Sequence, residues 1–154
     1  MKRAYGILAA AALILLPVQA SALVELDLGF EPAEVCPGDD AQFFFSLENV
    51  GDQEEMVALS VTVSFGDYVI GPLEGQVPLA AGEEVAREFG MRVPPPAPPG
   101  VLRIDVSATD SDGIVEAAAE LEILECLGPG VAPEKGAKNL LNQIQKSFRD
   151  LGVR

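Results

Sequence analysis

The chain has no histidine and no tryptophan, only two cysteines and two tyrosines, and ten basic residues against 24 acidic ones. The missing histidine excludes Ser–His–Asp and Cys–His nucleophile systems, HExxH metal sites and imidazole acid–base chemistry. A Ser–Lys dyad is poorly served, because of the four lysines Lys2 lies in an N-terminal leader and Lys135, Lys138 and Lys146 lie in the C-terminal tail. Carboxylates are plentiful, but in the strand-like segments they fall on solvent faces. A glycosidase pair or a stacking sugar site would need an aromatic-lined cleft, and Tyr68 and Phe44 are the only outward rings the pattern offers. No catalytic residue and no cofactor is expected. A net charge of −14 repels nucleic acid and anionic lipid and favours solubility.

The first 22 residues read as a secretory leader, cleaved on export. Lys2 and Arg3 precede an uncharged apolar run, Ile7 to Leu16, then the helix breaker Pro17 and the small residues Ala20-Ser21-Ala22. The run of about ten residues is too short for a bilayer core of about 30 Å. No cysteine follows it to carry a lipid anchor, and no later stretch is long enough to span. The expected location is periplasmic or extracellular, with the mature chain beginning at Leu23. Taking Lys2 and Arg3 from the ten basic residues leaves eight against 24 acidic ones.

From Leu23 to Cys126 the chain alternates apolar and polar residues in seven short stretches separated by Gly, Pro or Asp. Period-two alternation marks half-buried strands. Val24–Phe30, Ala41–Asn49, Val57–Phe65, a short or edge strand within 67–79, Val85–Val93, Leu102–Ala108 and Val115–Ile123 are expected. Arg87 shares a face with Val85, Phe89 and Met91, which suggests a bulge or a strand end. Asn49-Val50-Gly51-Asp52 is expected to turn through positive φ at Asn or Gly. The proline-rich run Pro94–Gly100 cannot join a ladder and must cross between sheets. A two-residue turn at Asp112-Gly113 would place Leu102 opposite Ile123, Ile104 opposite Leu121, and Arg103 opposite Glu122, matching apolar with apolar.

Seven strands at this spacing predict an all-β, immunoglobulin-like antiparallel sandwich over 23–127, followed by a linker over 128–136 and an amphipathic helix over 137–151. In that topology the segment before the second strand and the end of the last strand reach the same end of the domain. Cys36 and Cys126 stand at those places, so a disulfide is expected.

Cys36-Pro37-Gly38-Asp39, Asn49-Val50-Gly51, Ala81-Gly82-Glu83-Glu84 and Val93-Pro94-Pro95 leading to Pro99-Gly100 form an ordered series. The series resembles bacterial immunoglobulin-like domains of the CARDB (cell-adhesion-related) class and their fibronectin-III-like relatives, over roughly Leu23 to Glu125. The resemblance implies adhesion, spacing or carbohydrate-associated surface roles, and no shared catalytic residues.

Three features invite a functional reading. Asp110, Asp112 and Glu116 could hold calcium loosely, but Ala108 and Ala119 stand where an EF-hand loop needs acids, so an Asp-rich hairpin turn is the leading reading and no metal is assigned. In Phe43-Phe44-Phe45, alternation turns Phe44 outward, as a lone exposed ring or a contact surface. In the tail, Ala137, Leu140, Leu141, Ile144, Phe148 and Leu151 recur at +3, +4, +7, +11 and +14, one apolar helical face ending at Gly152, a C′ residue. Lys138, Asn142, Gln145, Lys146 and Arg149 occupy the other face. Leu23–Leu127 carries 3 basic and 22 acidic residues, and Gly128–Arg154 carries 5 and 2. Such opposite charges favour docking of the helix on its own domain or on another copy; a membrane surface is the lesser option.

Leu140, Leu141, Ile144, Phe148, Leu151 and Phe44 are therefore the expected partner-binding residues, and removal of the tail is expected to leave the sandwich folded. The whole reads as an exported, non-enzymatic binding or structural module of the cell envelope, engaging a protein partner or itself. The alternative is an accessory subunit of an extracellular carbohydrate-active enzyme or a secretion complex, recruited through the helix.

Overall fold

The alternating segments are realised as eight strands followed by one helix in a computed structural model, which describes residues 22–126 and 133–154. The strands are β1 (Val24–Glu31), β2 (Glu34–Val35), β3 (Asp40–Asn49), β4 (Glu55–Phe65), β5 (Tyr68–Leu79), β6 (Glu84–Arg92), β7 (Gly100–Thr109) and β8 (Ile114–Ile123); the helix α1 spans Pro133–Asp150. They form two sheets, ordered β1-β3-β6 and β2-β8-β7-β4-β5. The expected leader 1–22 lies outside the described residues but for Ala22, as does 127–132. The expected linker 128–136 is shortened from its far end, because α1 begins at Pro133.

The eighth strand is β2, two residues that pair in parallel with β8 and are too few to show alternation. After pairing with β3, the chain leaves one sheet at Pro32–Ala33 and joins the other through β2. The segment expected to be a short or edge strand is an edge strand, β5, though at 12 residues a long one; its ladder with β4 shifts register between Val61 and Val63 beside Gly71-Pro72. β6 runs without a bulge, and Arg87 pairs in register with Phe45. The Arg87 side chain remains exposed, because β6 is a sheet edge and the chain can reach past it into solvent.

The β7–β8 hairpin differs from the sequence-based register by two residues. Leu102 opposes Leu121, Ile104 opposes Ala119, and Arg103 opposes Glu120. The turn closes with the Asp110 N–H donating to the Gly113 carbonyl at 3.0 Å, which centres it on Ser111-Asp112. Asp110 selects this turn: its Oδ1 accepts from the N–H groups of Asp112 and Gly113 at 2.8 and 2.9 Å. Asn49 turns the chain by a similar device and not by positive φ, which no non-glycine residue adopts among the described residues. Fully buried, its side chain donates to the carbonyls of Gln53 and Leu79 and accepts from the Gly51 N–H.

The core fills the space between the sheets, with Phe43, Phe45, Leu47, Leu102, Ile104, Leu121 and Ile123 at 0–2% exposure. On one side β1 lies against β8; on the other, α1 packs against β6 of one sheet and β4 and β5 of the other. The helix is the third wall of a sandwich left open between those edges. It ends in a Schellman motif: the Gly152 N–H donates to Arg149 O at 2.9 Å and the Val153 N–H to Phe148 O at 3.2 Å, with Gly152 at φ 87°. Beyond it, Arg154 and Glu74 of β5 exchange both backbone hydrogen bonds, at 2.7 and 2.9 Å. At the other wall Gln143 and the Arg92 peptide exchange two more, at 3.3 and 3.1 Å.

Candidate functional site

The expected helical face exists, and its apolar side chains are already occupied. Leu140, Leu141, Ile144 and Phe148 are 0–2% exposed within this chain, and Leu151 is half-buried against the same core. The ring of Phe148 lies 5.7, 6.2 and 6.4 Å from those of Phe43, Phe45 and Phe89. Docking in cis is therefore the arrangement adopted, and these five side chains offer nothing to a partner while it holds. The period of the helix revealed the face; it could not show that the sandwich lacks a wall. The helix leaves Lys135, Lys138, Asn142, Lys146 and Arg149 exposed.

The approach of α1 is set at its first turn. A Cβ on Gly136 would stand 2.6–2.7 Å from backbone atoms of Pro96 and Ala97. A residue that weakens a helix interior is here the condition for seating it on the proline-rich crossing. Sequence reasoning passed over Gly136, although a glycine inside a helical pattern is a signal of close approach.

Phe44 does point outward, but the helix does not cover it. Its ring lies across Gly29 of β1, where an added Cβ would come within 2.7 Å of two of its ring atoms, so the ring rests half-buried on its own sheet. Of the two readings, a lone outward ring or a contact surface, α1 takes no part in either, because it lies on the opposite face of that sheet, against Phe43 and Phe45.

Cys36 and Cys126 form a disulfide with Cα atoms 5.7 Å apart. The bridge lies just past the parallel β2–β8 pairing, where Leu124 N–H donates to Val35 O at 2.9 Å, and it clamps a strand too short to hold itself. Disulfides persist in oxidising compartments, so the bridge indicates one for this chain. No helix among the described residues is long and apolar enough to cross a membrane.

The acidic turn is organised by backbone donors. Besides its two turn bonds, Asp110 accepts through Oδ2 from the Leu23 nitrogen at 2.6 Å. Glu116 stands opposite Ser107 on the ladder, away from the turn itself. Among the described residues no group of three His, Cys, Asp or Glu side chains could hold a metal ion.

What remains broad and open is the outer face of the five-stranded sheet. Ladder partners set Glu116, Ser107, Ser60 and Glu74 in one row, and Ala118, Asp105 and Thr62 in the next. Small hydroxyl and methyl groups make the floor of two adjoining shallow depressions of about 410 and 470 Å³. Glu74 and Gln76 border it on one side and Glu116 on the other. Arg103 is the cation of this face, 2.7 Å from both Asp105 and Glu120. Its hydrogen bonds to Asp105 and then Glu120 raise its pKa further, so it stays charged. These polar positions were visible in the sequence as the non-core half of each strand; only the sheet order makes them neighbours.

No family model and no curated protein sequence matches the chain. Several solved structures are similar in fold. The Pseudomonas fluorescens alkylpurine DNA glycosylase AlkC, bound to DNA containing an abasic-site analog, shares 19% identity over 68% of this chain and 31% of its own, with a TM-score of 0.46. The ASH/PapD-like domain 7 of human CEP192 shares 14% identity over 80% of this chain and 100% of its own, with a TM-score of 0.44. A CARDB domain from Pyrococcus furiosus, solved with di-metal ions, shares 19% identity over 66% of this chain and 87% of its own, with a TM-score of 0.42. The last is of the class that the turn motifs resemble.

Proposed function

We propose that this chain is an exported, non-enzymatic binding or structural module of immunoglobulin-like class, working in the cell envelope through the outer face of its five-stranded sheet. One observation carries the reading: the apolar face of α1 is spent inside the chain's own core, so engagement of a partner falls to the polar surfaces. Of these, the floor of Ser60, Thr62 and Ser107 bordered by carboxylates is broad and shallow, suited to a flat protein surface more than to a small molecule. Its acidic border selects a cationic partner segment. The exposed basic face of α1 in a second copy has that chemistry.

The docked helix cannot recruit an enzyme or a secretion complex through its apolar face; Lys138, Lys146 and Arg149 are what it presents. The test is chemical cross-linking in the exporting cell, comparing wild type with Thr62→Arg and Ser107→Arg. The expected result is loss of the cross-linked species, and its weakening by salt, with the melting temperature unchanged. Complexes that survive both substitutions at wild-type yield would refute the assignment of this face.

A further inference from the structure

Resting on the expected export and cleavage before Leu23, we infer that the amine released there locks β1 to the β7–β8 turn through Asp110. The Leu23 nitrogen lies 2.6 Å from Asp110 Oδ2, in direct hydrogen-bond contact with a carboxylate, the acceptor that binds a charged donor about twice as strongly as a neutral one. In the uncleaved chain this nitrogen is a neutral amide. Hydrolysis by a peptidase adds one water across the bond, leaving a carboxylate on Ala22 and a protonated amine on Leu23. The donor that already faces Asp110 thereby gains a positive charge.

The surroundings suit that charge. Glu55 accepts from Ser111 Oγ at 2.9 Å and Asp112 follows in the same turn, so carboxylates crowd this end of the sandwich. Leu23 is also fixed on its other side, its carbonyl accepting from the Val50 N–H at 2.9 Å. The amine is thus held in place before it is charged, with little ordering left to oppose the pair. Cleavage two residues earlier, after Ala20, would leave the Leu23 nitrogen an amide and put the new charge beyond this contact. The pair makes the trimmed chain more stable than its precursor, so export and final tightening of the fold coincide.

The test has two arms. The mass of the exported protein is expected to begin at Leu23; any other first residue overturns the inference. In the second arm, chains beginning at Leu23 and at Ala22 are compared by thermal melting, each with Asp110 and with Asp110→Asn. The asparagine keeps an oxygen for the Asp112 and Gly113 N–H groups, so the turn is retained. The extra residue is expected to lower the melting temperature by a few degrees when Asp110 is present and to leave it unchanged in the Asp110→Asn background. An equal effect in both backgrounds would show that Ala22 acts by packing alone and that no ion pair forms.

Discussion

Phe148, near the C-terminal end of α1, stands 5.7 Å from Phe43 in the middle of β3, the two rings tilted by 55°. A residue near the end of the sequence is thus a central member of the sandwich core. Phe148→Ala should cost about 3–5 kcal/mol, the range for emptying a buried aromatic site, measured by urea denaturation. Loss of the whole helix strips four large buried side chains from the core, roughly 6–12 kcal/mol at about 1.5–3 each, which matches the entire stability of a typical domain. A chain ending at residue 130 should therefore show no cooperative unfolding, contrary to the expectation from sequence that the sandwich stands alone. A truncated chain that melts like the parent would remove α1 from the core.

Gly136 should resist the usual remedy for helix glycines. On an open helix, Gly→Ala is stabilising by about 1 kcal/mol. Here the new methyl meets backbone of Pro96 and Ala97 at 2.6–2.7 Å, and over-packing of that kind costs about 1–3 kcal/mol. Gly136→Ala is expected to lower the melting temperature; a rise would mean that the helix and the crossing are not in contact.

Reduction of Cys36–Cys126 should be strongly destabilising. The bridge spans a sequence separation of 90, and chain-entropy arguments give about 4–5 kcal/mol for a loop of that length. Thiol titration of the purified protein should find no reactive cysteine until it is denatured with reductant, and the Cys36→Ser, Cys126→Ser double variant should unfold at markedly lower urea.

Asn49→Ala should cost about 2–3 kcal/mol, since it leaves the buried Leu79 carbonyl and the part-buried Gly51 N–H without their partner. Asn49→Asp is expected to be worse than its small change in size suggests, because a carboxylate faces two carbonyl oxygens in place of an amide donor. Denaturant melts that rank Asp no worse than Ala would contradict the assigned hydrogen bonds.

Alternation reports parity, and parity is what it supplied correctly. Leu102, Ile104 and Val106 are core residues in either hairpin register, because a slip of two residues returns every side chain to its own face. The apolar match between β7 and β8 could therefore not separate a turn at Asp112-Gly113 from the one at Ser111-Asp112. That choice rests on the Asp110 carboxylate, whose three backbone partners include one 87 residues away. The disulfide was legible because two cysteines admit one pairing. The docking of α1 was legible as a need, from its apolar stripe, but its place was not: it follows from β6 being an edge of its sheet among the described residues, which leaves the opening α1 fills. The outer face of the five-stranded sheet was illegible for the same reason, since Ser60 and Ser107 become neighbours through β4–β7 pairing.

Edge strands are templates for unwanted pairing unless they are covered. Gln143 presents its side-chain amide to the Arg92 peptide as a neighbouring strand would, Arg154 does the same for Glu74 with its own backbone, and the disulfide holds β2 against β8. Donor-strand exchange and fibril-like stacking are thereby obstructed at these three margins. A contact made through side chains alone leaves these three margins closed and needs no opening of the fold.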